Sequence, residues 1–205
     1  MTTIFIESKH LKTPEANFVK TYINLKFPYF KNFEIVPLNG WQGLWKTNKL
    51  IENIDLGNQN IIIFDADSSN NNGGFQKRKK EIEAIKTEQN IDFELFLFPN
   101  NSDDGDFELL LENIINQKHK KLLDCFGKYE KCIDNSKSNN SLKYKLPIRK
   151  AKIYSYVDAF PKERKFNERF KNGDWFFENE TYWNLSTKYL DSLKQFIEQF
   201  IDKTN

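Results

Sequence analysis

The sequence predicts an α/β fold: a parallel sheet of about four strands flanked by helices, followed by a helical C-terminal elaboration. Three observations predict it. The run Ile61-Ile62-Ile63-Phe64 is apolar without a break and stops at Asp65-Ala66-Asp67, short apolar runs alternate with helix-like segments on both sides of it, and the tail repeats its apolar residues at helical steps. A continuous apolar run is what a strand covered on both faces of a parallel sheet requires.

The elements follow in order. Thr3 to Glu7 reads as a first strand. Thr13-Pro14-Glu15 is a helix start, with Thr13 as N-cap and Pro14 at the first helical position, and the helix runs through about Leu25. Phe33 to Leu38 is a second strand, Asn39-Gly40 a turn, and Leu44 to Ile54 returns to helical spacing. After the third strand, Ser68 to Gly74 is a loop, Gln76 to Glu88 a charged helix, and Phe93 to Phe98 a fourth strand ended by Pro99-Asn100-Asn101.

Gly105-Asp106 introduces a helix over Phe107 to Asn116. Further helices are expected near Lys120 to Ile133 and Ile148 to Phe160, divided by a loop rich in Ser and Asn. Ser186 is placed to cap the last helix, whose Tyr189, Leu193, Phe196, Ile197 and Phe200 form one apolar face suited to dock on the sheet. Residues 1–117 therefore read as the α/β domain and 118–205 as a basic, mainly helical extension packed on it as one structural unit.

Composition bounds the partners. Hydrophobic residues make up 39% of the 205, enough for a globular core. No apolar run approaches the roughly 20 residues that cross a bilayer, and Met1 to Lys12 lacks the sections of a signal peptide, so a soluble, cytoplasmic protein without a membrane partner is expected. Cys125 and Cys132 lack the spacing of a zinc or redox motif and read as core thiols. His10 and His119 read as surface or packing residues, and Trp175 and Trp183 as packing anchors.

The net charge of +2 hides an asymmetry: residues 118–171 carry 16 Lys/Arg against 6 Asp/Glu. The acidic body thus meets a basic segment in which Arg149, Lys150 and Lys152 precede Tyr154 and Tyr156, and Arg164, Lys165 and Arg169 alternate with Phe166 and Phe170. Such mixtures contact phosphates and stack on bases, which makes nucleic acid a candidate partner and Arg149, Lys150 and Lys152 candidate contacts. At helical spacing the same pattern also describes buried aromatics beneath a solvated basic face.

In an open parallel sheet, functional groups collect beyond the carboxyl ends of the strands. Glu7, Asp65 and Asp67 lie at such ends. If the first and third strands are neighbours, the three carboxylates approach one another, and their repulsion calls for a proton or a hard cation, Mg2+ or Mn2+, as their common ligand. Glu15, Asp106 and Glu108 are secondary candidates that equally suit helix starts.

Ile4-Phe5-Ile6-Glu7-Ser8, then Asn39-Gly40, then Ile61 to Asp67 resemble the Toprim domain of topoisomerases, primases and OLD-family nucleases. With Phe98-Pro99-Asn100-Asn101, Gly105-Asp106-Phe107-Glu108 and a basic helical tail, the chain looks closest to small stand-alone bacterial Toprim-like proteins of unknown function. The resemblance implies a Rossmann-like sheet, Glu7 as general acid/base or metal ligand, and Asp65 and Asp67 holding Mg2+ for phosphodiester chemistry on nucleic acid, as in a small nuclease. Ser8 departs from the glycine that often follows the family's glutamate, and the 205 residues leave no room for a strand-passage domain, so full topoisomerase activity is not expected of them.

Two other readings compete. A non-catalytic module would use the acidic site to hold metal, phosphate or a partner. Phe64-Asp65-Ala66-Asp67 also resembles the nucleophile strand of haloacid-dehalogenase-like phosphatases, although there the motif usually opens the fold and continues with a suitably spaced Thr or Val. No Gly-x-Gly-x-x-Gly follows the first strand and no Walker A loop is present, so any energy input would come from a partner ATPase.

Overall fold

The computed structural model describes residues 1–136, 144–161 and 165–201. Four parallel strands, β1 (Thr2–Ile6), β2 (Phe33–Pro37), β3 (Gln59–Asp65) and β4 (Glu94–Phe98), form one sheet in the order β2-β1-β3-β4. The two central strands are the most apolar. Ile4 registers with Ile61 and Ile6 with Ile63 across the β1–β3 pair, so the carboxyl ends of both strands lie side by side. Asp65 registers with Phe98 on β4.

Alternation along the strands sends side chains to two cores. Ile4, Ile6, Ile61, Ile63, Phe96 and Phe98 face one core, and Phe5, Ile62, Phe64 and Leu97 face the other. The second core is closed by α2 (Lys49–Asp55) and α3 (Phe75–Glu88), through Leu50, Ile82 and Ile85. The first is larger because α1 (Pro14–Lys26), α4 (Phe107–Ile114) and the C-terminal helices all pack there.

The C-terminal elements are α5 (Lys120–Ser136), α6 (Arg149–Asp158), α7 (Phe166–Lys171) and α8 (Asp191–Ile201). Leu193, Phe196, Ile197 and Phe200 of α8 are buried in the sheet's first core, and the Phe196 ring lies 5.3 Å from that of Phe96. Trp175 and Trp183 are buried anchors, the Trp183 indole N–H donating to the Trp175 carbonyl at 2.8 Å. A second tie needs a glycine: Gly173 has φ +72°, and a Cβ there would lie 2.4 Å from the carbonyl carbon of Thr13. The C-terminal part is thereby pressed against the start of α1.

Several expectations are corrected. The helix expected over Leu44 to Ile54 is a 3-10 segment, Trp41–Lys46, and then α2, because the chain straightens at Thr47 between them. Thr187, not Ser186, makes the cap before α8: its hydroxyl accepts from the Tyr189 N–H at the head of a 3-10 turn, whereas Ser186 pairs with Lys26. Cys125 and Cys132 are exposed instead of core, since α5 buries no residue completely. Of the Asn-rich stretch at 135–140, residues 137–140 lie outside the described residues, as does Arg164. Among the described residues no helix is long and apolar enough to cross a membrane.

Candidate carboxylate cleft at the sheet edge

β1 ends at Ile6, so Glu7 is the first residue beyond the sheet. Its backbone is clasped by the turn after β2: the Gly40 N–H donates to the Glu7 carbonyl at 2.8 Å and the Asn39 N–H to the Ser8 carbonyl at 2.9 Å. Asn39 (φ 52°) and Gly40 (φ 96°) both take left-handed conformations there. The Glu7 side chain turns back over β3, where its Oε2 accepts from the Asp65 N–H at 3.3 Å.

Asp65 closes β3, and its Oδ1 accepts from the Phe107 N–H at 2.8 Å, at the start of α4. A carboxylate at a helix N-terminus is favourably placed against the unpaired N–H groups. Asp106 caps the same helix by accepting from Leu109 N–H at 2.8 Å, which gives two aspartates one helix start to share.

Glu7, Asp65 and Glu15 line a cleft of about 180 Å3 with Ser8, Phe64 and Phe98. Burial raises the Asp65 carboxyl well above its ordinary range, and the charges of Glu7, Glu108, Asp106 and Glu15 push it the same way. Glu7 is raised by burial and by Asp67, against the stabilising Asp65 and Trp41 N–H groups and the charge of Arg78. Glu108 is also raised, by burial first and then Asp106, with Lys150 opposing. Three neighbouring carboxyls therefore hold protons more tightly than ordinary acids.

Asp67 has a different fate. Its backbone is left-handed (φ 60°), its carbonyl accepts from Gly105 N–H at 2.8 Å, and its carboxylate is bound by Arg78 at 2.7 Å. Arg78 is buried, extends a second contact to Glu81 at 3.0 Å and lies 4.9 Å from the Trp41 ring centroid. Of the three carboxylates expected to converge, Glu7 and Asp65 adjoin, while Asp67 is turned into this ion pair. Among the described residues no three Asp, Glu, His or Cys side chains converge to hold one metal ion.

Arg78 is the residue that sequence reasoning missed, passing unremarked within the charged helix expected over Gln76 to Glu88. A signal was present: positions 75, 78, 82 and 85 fall at three- and four-residue steps, which puts Arg78 on the buried face with Phe75, Ile82 and Ile85.

Two of the three basic residues singled out for nucleic acid also meet acids. Arg149 binds Asp106 at 2.7 Å and approaches Glu112, and Lys152 binds Glu112 at 2.8 Å. Lys150 is exposed and acts on Glu108. Tyr156 and Phe166 are core, whereas Tyr154 is exposed with its ring 4.7 Å from that of Phe170. Arg169 is tied to Asp174 and Glu178. His10 is exposed, and His119 lies edge-on to Phe160 with ring centroids 4.8 Å apart.

These features define an α/β domain with paired, desolvated carboxylates at the carboxyl ends of adjacent parallel strands. The chain belongs to the DUF3226 family, described as proteins of unknown function, which it matches over residues 12–202. No curated protein and no solved structure gives a significant match.

Proposed function

We propose that the cleft carries Mg2+- or Mn2+-dependent phosphodiester chemistry on nucleic acid, as in a small nuclease. The observation that carries this reading is the Glu7–Asp65 pair, two carboxyls lining one cleft at neighbouring strand ends, both raised by burial, Asp65 further by the charge of Glu7 and Glu7 by that of Asp67. Such a pair is ionised at neutral pH only at a cost, which a cation offsets. The donors are all oxygens, and Mg2+ is commonly held by one or two carboxylates, several waters and a substrate phosphate, so two protein ligands suffice.

In this reading Glu7 and Asp65 would hold the ion, which would supply charge stabilisation for the transferred phosphoryl group. Glu7, which lines the open cleft, is the carboxylate placed to exchange a proton with a reacting water. Asp67 and Arg78 set the position of the β3 end from behind. The resemblance to Toprim domains supports the same assignment of Glu7 and Asp65.

The test is cleavage of single- and double-stranded DNA and RNA with Mg2+ or Mn2+. Glu7→Gln and Asp65→Asn are expected to lower cutting at least about 100-fold, the scale of losing a proton-transfer group or a charge-stabilising ligand. Asp67→Asn should cost less. Cutting that survives Asp65→Asn unchanged would end the proposal.

The engagement of Asp67 by Arg78 favours one alternative, a module that binds metal and phosphate or a partner without turnover. Metal-dependent binding of an oligonucleotide that is never cut, across all four substrate types, selects that reading.

A further inference from the structure

We propose that the groove between α4, α5 and α6 seats the sugar-phosphate backbone of a nucleic-acid strand, with Lys120, Lys128 and Lys131 as its phosphate contacts. The groove encloses about 770 Å3 and sets those lysines and Lys152 against Glu112 and Asp124. Glu112 is already neutralised by Lys152 and approached by Arg149. None of the three α5 lysines makes an ion pair among the described residues, and all three are exposed.

At 100° and 1.5 Å per residue, positions 120, 128 and 131 share one side of α5 and span about 16 Å, the reach of about five phosphates along a strand with a 3.4 Å rise. The helix buries none of its 17 residues fully, so this side is open to a ligand.

Continuity with the cleft selects the occupant. The Phe107 N–H at the start of α4 donates to Asp65 and Glu108 acts on it, while Leu109 and Glu112 of the same eight-residue helix line the groove, so α4 connects groove and cleft. Lys150, which acts on Glu108, adds a positive charge near the cleft. An acidic peptide passing from the lysines toward Asp65 would set carboxylate against carboxylate. A phosphodiester can be bridged to the same carboxylates by a cation. The inference rests on the proposed chemistry for where the strand leads, but binding in the groove requires neither metal nor cutting.

The full chain is titrated into labelled single-stranded and duplex DNA and RNA oligonucleotides in EDTA, followed by fluorescence anisotropy at several salt concentrations. Lys120→Gln, Lys128→Gln and Lys131→Gln together should weaken binding at least tenfold and lower the magnitude of the slope of log K against log salt by about 2 to 3, the value for three phosphate contacts. Lys20→Gln, at an exposed α1 position outside the groove, should leave binding within twofold, and the arm bound most tightly identifies the strand type. The proposal is overturned if no oligonucleotide binds, if the triple variant, folded by circular dichroism, binds with unchanged affinity and slope, or if polyglutamate displaces the strand at equal charge. Lysine-dependent binding without cutting upholds the groove and ends the nuclease reading; cutting indifferent to these lysines does the reverse.

Discussion

Asp65 and Asp67 stand two residues apart at the end of one strand, yet their surroundings are opposite. Among the described residues Asp65 takes only backbone N–H support, and it faces Glu7, Glu15, Asp106 and Glu108, so burial and like charge raise its carboxyl together. Asp67 is held by a buried guanidinium that also serves Glu81. The pair teaches that acidic density alone does not make a reactive site. What separates the two positions is whether the fold itself supplies the compensating charge; at Asp67 it does, and at Asp65 that role is left to a proton or an added cation.

The strongest way to break the comparison is to remove the Asp67 side. Arg78→Met leaves Asp67 and Glu81 without their cation in a partly buried place, and urea unfolding should show a loss of roughly 3 kcal/mol, the low end for a broken buried pair because both acids retain some exposure. A loss below about 1 kcal/mol would place the pair among surface bridges.

Gly73→Ala attacks the same side by packing. A Cβ there would lie 2.3 Å from the Asp67 Cβ and 2.8 Å from the Ala66 carbonyl oxygen, so the turn must shift. The expected cost is about 2 kcal/mol, within the range for overpacking. The groups on Asp65 are untouched, and metal-induced stabilisation should survive.

A pH dependence sharpens the Asp65 side. Glu7, Asp65 and Glu108 all have raised folded-state values, so the folded protein binds their protons more tightly than the unfolded chain. Their contribution is therefore fully present below the ordinary carboxylate range of roughly 4 and is lost as pH rises through the raised values, by up to about 1.4 kcal/mol per pH unit for each group. Unfolding measured in EDTA between pH 4 and 8 should show this decline, Asp65→Asn should flatten it, and Mg2+ should offset it in the parent protein at neutral pH. A parent protein whose stability rises steadily across that window would contradict the account.

Much of the framework was legible because it rests on local rules. The Ile61 to Phe64 run marks a strand buried on both faces, and Thr13-Pro14 marks a helix start; the Thr13 hydroxyl accepts from Ala16 N–H at 3.3 Å as a cap should. Glu7 and Asp65 were legible as strand-end acids, conditional on β1 and β3 being neighbours. The exposed cysteines were not legible, since the apolar residues of α5 that do face inward, Leu122 and Leu123, are only partly buried. Arg78 was masked by its lysine neighbours, although its helical register pointed inward.

Residue order alone determined the strand periodicity, the helix starts and the placement of Glu7 and Asp65 at strand ends, because side-chain alternation and capping act over a few neighbouring positions. Only the tertiary structure decided which acids keep a counter-charge. Arg78 reaches Asp67 from α3, and Asp106 and Glu108 reach Asp65 from α4, across separations that no local pattern specifies. Electrostatic effects depend on distance and burial in space, and both are set by how the helices pack on the sheet.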